Sequence, residues 1–144
     1  MLALANKGEI MSVTNTSKVE NLKNEFDLTD LKVFYHHIYE YKKGVRNLIL
    51  TTEKSIYSET IKTRLENENI DYLIQRVNDN KINVFFGKKE CVKVVESFSS
   101  KLYELSAEED FILGIMLGYD RLKQCERYLK IKNNIILFKN KEKK

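Results

Sequence analysis

Apolar and polar positions change their spacing along the chain, and each change marks an element. Residues 1–28 carry no sustained apolar stripe and are rich in Asn, Ser, Thr, Lys and Glu. They read as a poorly ordered lead to one domain over 29–138, with 139–144 as a charged, solvated tail. From Leu31 to Tyr41 the run LKVFYHHIYEY is dense in β-branched and aromatic residues, which predicts a strand. A period of two puts Val33, Tyr35, His37 and Tyr39 on one face and Phe34, His36, Ile38 and Glu40 on the other. Both faces are substantially apolar, so this strand is expected at the centre of a sheet. Gly44 then breaks the pattern inside a basic loop of Lys42, Lys43 and Arg46. The next stretch has two readings: Val45, Leu48, Ile49 and Thr52 fit a helical stripe, while Leu48-Ile49-Leu50 fits a short buried strand.

From Ser55 to Asn69 the spacing of Ile56, Ile61 and Leu65 predicts an amphipathic helix, with Thr52 or Ser55 as its cap. Strands are predicted over Asp71–Val77 and Lys81–Phe86, joined at Asn78, Asp79 and Asn80, residues that tolerate left-handed backbone and suit a tight hairpin. Gly87 ends the second strand. Cys91, Val92, Val94, Val95 and Phe98 mark the buried side of a short helix. Ser106 with Glu109 is a capping-box pattern, and Glu108, Glu109 and Asp110 sit where a helix dipole favours acids. Arg121, Lys123, Arg127 and Lys130 dominate the expected last turns of that same helix. Within it, Phe111 to Tyr119 is apolar almost all round, yet far short of the roughly 20 residues needed to cross a membrane. It is therefore expected inside protein. The run Ile135 to Phe138 could add a strand, dock on the core, or pair with another chain.

Composition narrows the class. With 144 residues, 42% hydrophobic and 32% charged, the chain is long enough for one domain, and its 8 Tyr and 7 Phe give it bulky residues that disordered chains lack. The reading is a soluble α+β domain. The stretch Leu2 to Ala5 is cut short by Lys7, Gly8 and Glu9, so no secretory leader is expected and the location is read as cytoplasmic; Met11 is an alternative start. Cys91, Cys125 and two histidines do not make a disulfide framework or a structural zinc site. The net charge of +4 is spread along the chain, with acids within a turn of nearly every basic cluster, so nucleic acid is not an expected partner.

Three stretches have a distinctive composition: Val33-Phe-Tyr-His-His-Ile-Tyr-Glu-Tyr-Lys-Lys-Gly-Val-Arg-Asn-Leu, Asn83-Val-Phe-Phe-Gly, and Ser106-Ala-Glu-Glu-Asp-Phe-Ile-Leu-Gly-Ile-Met-Leu-Gly-Tyr-Asp. Over roughly residues 31 to 132 the chain resembles a small bacterial family known as domain of unknown function two-thousand-twenty-three. The resemblance implies a small three-stranded, mainly antiparallel sheet packed by about five helices and assembled as a homodimer. It also favours the helical reading of Val45 to Thr52. Members are often encoded near a flavodoxin in anaerobes that manage iron or haem, which makes flavodoxin an expected partner.

Candidate chemistry is sparse. His36 and His37 invite a metal, haem or acid–base reading, but neighbours on a strand point to opposite faces and cannot chelate one ion. One axial His to haem, with Tyr35 or Tyr39 on the face of His37, is the alternative to a structural role. Lys42, Lys43, Gly44 and Arg46 form a surface that would dock an acidic partner such as flavodoxin or hold a phosphate. Gly87-Lys88-Lys89 is a second anion candidate without a phosphate-loop pattern. Gly114 and Gly118 are expected on one helix face where something packs close to the backbone, either the sheet or a twofold partner, with Tyr119, Asp120 and Arg121 beside them. Cys91 and Cys125 fall on expected apolar helix faces as inert small hydrophobes. With no nucleophile–base pair, metal spacing or nucleotide loop, the expected function is a non-catalytic binding or regulatory homodimer, an accessory to flavodoxin in iron or haem metabolism. The alternative is a protein or enzyme that binds haem or another planar cofactor through His36, His37 and nearby tyrosines. No resident cofactor is expected.

Overall fold

A computed structural model describes residues 28–98 and 101–143, so nearly all of the expected N-terminal lead lies outside the described residues. A 3-10 turn, Leu28–Leu31, leads into helix α1 (Lys32–Lys42). Strand β1 (Leu48–Lys54), a 3-10 turn (Ser55–Tyr57) and α2 (Ser58–Asn67) follow. Next come β2 (Asp71–Arg76), β3 (Lys81–Gly87) and α3 (Lys89–Ser97). A 3-10 turn (Leu102–Glu104), α4 (Ala107–Met116) and α5 (Arg121–Glu142) complete the order. The three strands form one antiparallel sheet in the order β1-β3-β2, and with five helices among the described residues the fold is the α+β arrangement anticipated from sequence.

Helices cover both faces of this sheet. On one face Ile49, Ile82, Val84 and Phe86 meet Phe34 and Ile38 of α1 and Ile61 and Leu65 of α2. On the other, Leu48 and Phe85 meet Val92 and Val95 of α3 and Leu113 and Leu117 at the end of α4. A strand covered on both sides reads as a continuous apolar run. β3 is buried from Ile82 to Gly87.

The stretch expected as the central strand is helix α1. Its buried residues, Leu31, Phe34 and Ile38, recur at i, i+3 and i+7, so a single helical stripe meets the sheet while Val33 and Tyr39 stay exposed. Phe34 sets its ring edge-on to Phe86, with centroids 5.8 Å apart. Burying such a side chain contributes about 1.5–3 kcal/mol, more than the weak strand preference of its neighbours. The helix ends at Gly44, whose φ of +76° lets its N–H reach Tyr41 O while Val45 N–H donates to Glu40 O.

The helical reading of Val45 to Thr52 is likewise overturned, because Leu48–Lys54 pairs along its whole length with β3, from Leu48 opposite Gly87 to Lys54 opposite Lys81. The helix after it forms as expected, but neither proposed cap serves it. Tyr57 is the N-cap residue and makes no side-chain cap bond, Ser55 Oγ donates to Asp79 O, and Thr52 Oγ1 donates to Asn83 Oδ1. The β2–β3 hairpin turns where expected. Asn78 Oδ1 accepts from the N–H groups of Asn80 and Lys81, an Asx-type turn without left-handed backbone at residues 78–80.

The capping box at Ser106 and Glu109 is present in both directions. The long helix expected from it is two helices. Gly118, at φ +81°, reverses the chain, and Asp120 starts α5 by accepting from Lys123 N–H at 2.9 Å. α5 returns antiparallel along α4, through Arg127 on Asp110 and Lys132 on Glu108. It takes in Ile135–Phe138, so that run forms neither a strand nor part of the core. Among the described residues no helix is long and apolar enough to cross a membrane.

Candidate functional site

The end of α1 gathers most of the residues singled out in the sequence. Glu40, whose side chain is 17% exposed, faces His36 Nε2 at 3.2 Å, His37 Nδ1 at 3.4 Å and Arg46 Nε at 3.3 Å. The approach of His37 Nδ1 is close enough for attraction to a protonated ring, yet its geometry makes no hydrogen bond. The two imidazoles were expected on opposite faces of a strand. On a helix, residues i and i+1 stand about 100° apart, and both reach one carboxylate four or three residues on. Each ring keeps a second nitrogen, and a histidine that binds a metal commonly holds its other nitrogen on a carboxylate in this way. Tyr35 packs half-buried against the core and under Arg64, 5.2 Å from the ring centroid, and Tyr39 stacks at 6.3 Å on His36.

The basic loop follows this helix, and its charges are largely engaged. Lys42 Nζ lies 3.0 Å from Glu68 Oε2, Arg46 is held by Glu40, and Lys43 Nζ sits 5.4 Å over the Tyr39 ring. Gly44 has open space around it. Gly87-Lys88-Lys89 is a junction: Lys88 N–H donates to Asn47 O at 2.8 Å, and a Cβ at Gly87 would stand 2.1 Å from that oxygen. Gly87 is thus required by a close backbone approach, and Lys88 turns its ammonium over Tyr41.

The second candidate surface is the α4–α5 hairpin. Gly114 and Gly118 do not share a helix face, because Gly118 is in the reversing turn; Gly114 alone is a close-packing point, against the Gln124 side chain of α5. Tyr119 and Arg121 are exposed, and Asp120 is a cap. Cys91, on α3, packs half-buried against the core, whereas Cys125 is exposed. It lines an apolar groove with Phe111, Ile112, Tyr128 and Leu129, rimmed by Glu108. Ion pairing with Lys132 holds the Glu108 carboxyl below its ordinary range, and Glu108 reciprocally raises the Lys132 ammonium. Past the N-terminal start of α4, Ile131, Ile135 and Phe138 line a second hollow with Glu142.

No residue of α5 is buried, although it runs for 22 residues. Four consecutive residues, Ile135, Ile136, Leu137 and Phe138, point to all sides of the helix and are all exposed, Phe138 at 65%. Phe111 and Ile112 belong to the stretch expected inside protein, yet they line an open groove and Ile112 is 43% exposed; Leu129 had no expected role. The signal was there, in Leu122, Cys125, Leu129 and Ile136, which recur at i, i+3, i+7 and i+14. Among the described residues no group of three or more His, Cys, Asp or Glu is placed to hold a metal ion. The chain matches no curated protein. A family model described as Protein of unknown function (DUF2023) matches residues 32–131, and the chain belongs to that family.

Proposed function

We propose that the protein is a non-catalytic binding or regulatory homodimer joined through the α4–α5 hairpin. The observation that carries this reading is the exposed apolar belt Ile135–Phe138 on a helix with no buried residue. Large apolar side chains exposed together mark a surface that meets a partner, and here Ile135, Ile136, Leu137 and Phe138 are all exposed. A second copy supplies what the belt lacks: the groove of Phe111, Ile112 and Leu129 is apolar, and its rim residue Glu108 is opposite in charge to Lys139 and Lys141 beside the belt. A twofold arrangement would let each belt cover the other copy's groove, an isologous and closed contact. Light scattering at micromolar concentration should give twice the 17.0 kDa of one chain, and Ile136→Lys with Phe138→Lys should give one chain with unchanged circular dichroism over the core. A monomeric wild-type protein overturns the proposal.

An accessory role to an acidic protein of the flavodoxin type is the second reading, and the charge of α5 favours it. That helix carries seven Lys or Arg against two Glu. Lys123, Lys130 and Lys141 fall on one side of it, and none is ion-paired among the described residues. Surface plasmon resonance with flavodoxin should show an on-rate that falls several-fold when these three become Gln at low salt, and little difference at about 0.5 M, where the Debye length is well below 10 Å. Wild-type protein that does not bind flavodoxin rejects this reading and leaves the dimer untouched.

A further inference from the structure

Asn83 is at odds with its strand. β3 is otherwise apolar between Lys81 and Gly87, yet Asn83 lies in it only 7% exposed. Asparagine is depleted in strands, and a buried amide without partners costs about 1–3 kcal/mol. Its register neighbours are also polar: Thr52 on β1 and Gln75 on β2 stand directly opposite it. One polar rung therefore crosses all three strands, and on the same face the next rung toward Gly87 holds Leu50, Phe85 and Leu73.

Part of this rung is satisfied internally. Thr52 Oγ1 donates to Asn83 Oδ1 at 2.7 Å, which uses the acceptor end of the amide. The Asn83 NH2 and the whole Gln75 amide have no hydrogen bond among the described residues. Both line a hollow with Lys101, Leu102, Tyr103 and Val77. Arg76 is at its edge, with its guanidinium turned to Asp79 and Asn78 O, so that charge is already matched. Lys101 is the remaining cation, its ammonium 6.0 Å over the Tyr103 ring. The hollow measures about 230 Å³. That is below the roughly 300–1,000 Å³ of sites for drug-sized molecules, which confines it to a small ligand.

We infer that this hollow binds a small organic monocarboxylate. The groups left over are mostly donors, Asn83 Nδ2, the Gln75 NH2 and Lys101 Nζ, and a carboxylate is an acceptor with two oxygens for them. One unmatched cation balances one negative charge, which favours a monocarboxylate over a phosphate or a dicarboxylate. Leu102, Val77 and the Tyr103 ring form the wall against which an apolar body lies. The site is on the sheet face away from α1, and it does not depend on the dimer reading.

The test is a titration of the full chain with 3-phenylpropanoate, followed through the side-chain NH2 resonances of ¹⁵N-labelled protein. Saturable shifts of the Asn83 and Gln75 resonances are expected, with 3-phenylpropanamide giving none at equal concentration. Lys101→Gln, an exposed substitution that leaves the core intact, should weaken binding about 10-fold, and Asn83→Leu should abolish it. The inference is overturned by unmoved NH2 resonances up to about 20 mM, a concentration well above a millimolar Kd. It is equally overturned by an equal response to the amide, or by unchanged affinity in Lys101→Gln.

Discussion

Arg127 holds Asp110 through two N–H···O bonds, 2.8 Å from Nε and 3.0 Å from the terminal nitrogen, and this fork fixes α5 in register along α4. The pairing raises the Arg127 pKa further, through the hydrogen bond first and the opposite charge second. Because Arg127 is 59% exposed, its stabilising contribution is limited to about 1 kcal/mol. Arg127→Met should therefore lower global stability only slightly. Hydrogen exchange should detect a larger change, with faster exchange along α5 while the sheet amides stay protected.

Two glycines with positive φ should respond very differently to alanine. Gly44 has no atom within 4 Å of a built Cβ, so Gly44→Ala should cost only the conformational strain, about 1 kcal/mol. At Gly87 the same atom would lie 2.1 Å from Asn47 O. Gly87→Ala should thus part β1 from β3 at their Leu48 end and cost several times more, read as a fall in Tm well over 4–8 °C.

Glu53 sets a pH dependence. Its side chain is buried, and burial first, then the nearby Asp30 charge, raise its pKa, against a 2.8 Å hydrogen bond from Thr51 that lowers it. An acid whose folded pKa is above its unfolded value disfavours the native state at neutral pH. As pH falls through the raised value toward the ordinary carboxylate range, this penalty is relieved. Glu53→Gln should therefore stabilise the protein at pH 7 by on the order of 1 kcal/mol and flatten urea midpoints over that window. A variant less stable at every pH contradicts this account.

Tyr72 provides the alkaline counterpart. Desolvation, followed by its 2.6 Å hydrogen bond to Glu66, pushes its phenol up to about 12. Here the unfolded chain ionises first, so stability contributed by the neutral phenol is lost as pH rises from the ordinary tyrosine range toward 12. Phenolate absorbance should show a late-titrating component that Tyr72→Phe removes.

Neutralising the loop after α1 should affect stability as well as surface charge. Replacing Lys42, Lys43 and Arg46 by Gln leaves Glu68 without one of its cations and Glu40 without its arginine, and these carboxylates are only 16% and 17% exposed. Lys42 and Arg46 are themselves about half in water, so the expected loss is about 1 kcal/mol per pair at most, read by urea titration.

These pairs explain which parts of the molecule were legible in the sequence. Ser106 and Glu109, the Asn78–Asn80 turn and the short helix of Val92 and Val95 are local devices, complete within a few residues, and each forms, although Val94, expected on the buried side with them, is 40% exposed. The α1 stripe of Leu31, Phe34 and Ile38 was equally local, but its aromatic density obscured a helical period. β1 was undecidable because its conformation is imposed by β3, far along the chain. Glu40 and Glu68 carry no motif, and what gives them their role is the fold that brings Arg46 and Lys42 to them. Asn83 appeared only as part of a family-like block, since a polar rung exists only once three strands are in register.

The sheet order β1-β3-β2 also sets a timetable for folding. β2 and β3 are joined by a short turn and can pair early, whereas β1 must wait until α2, β2 and the hairpin have been placed before its partner exists. Until then β3, the most apolar of the three described strands, has one edge with open hydrogen-bonding groups. Another copy in the same state offers a matching edge, so the order that gives β3 its protected place in the finished sheet also makes refolding yield fall with protein concentration.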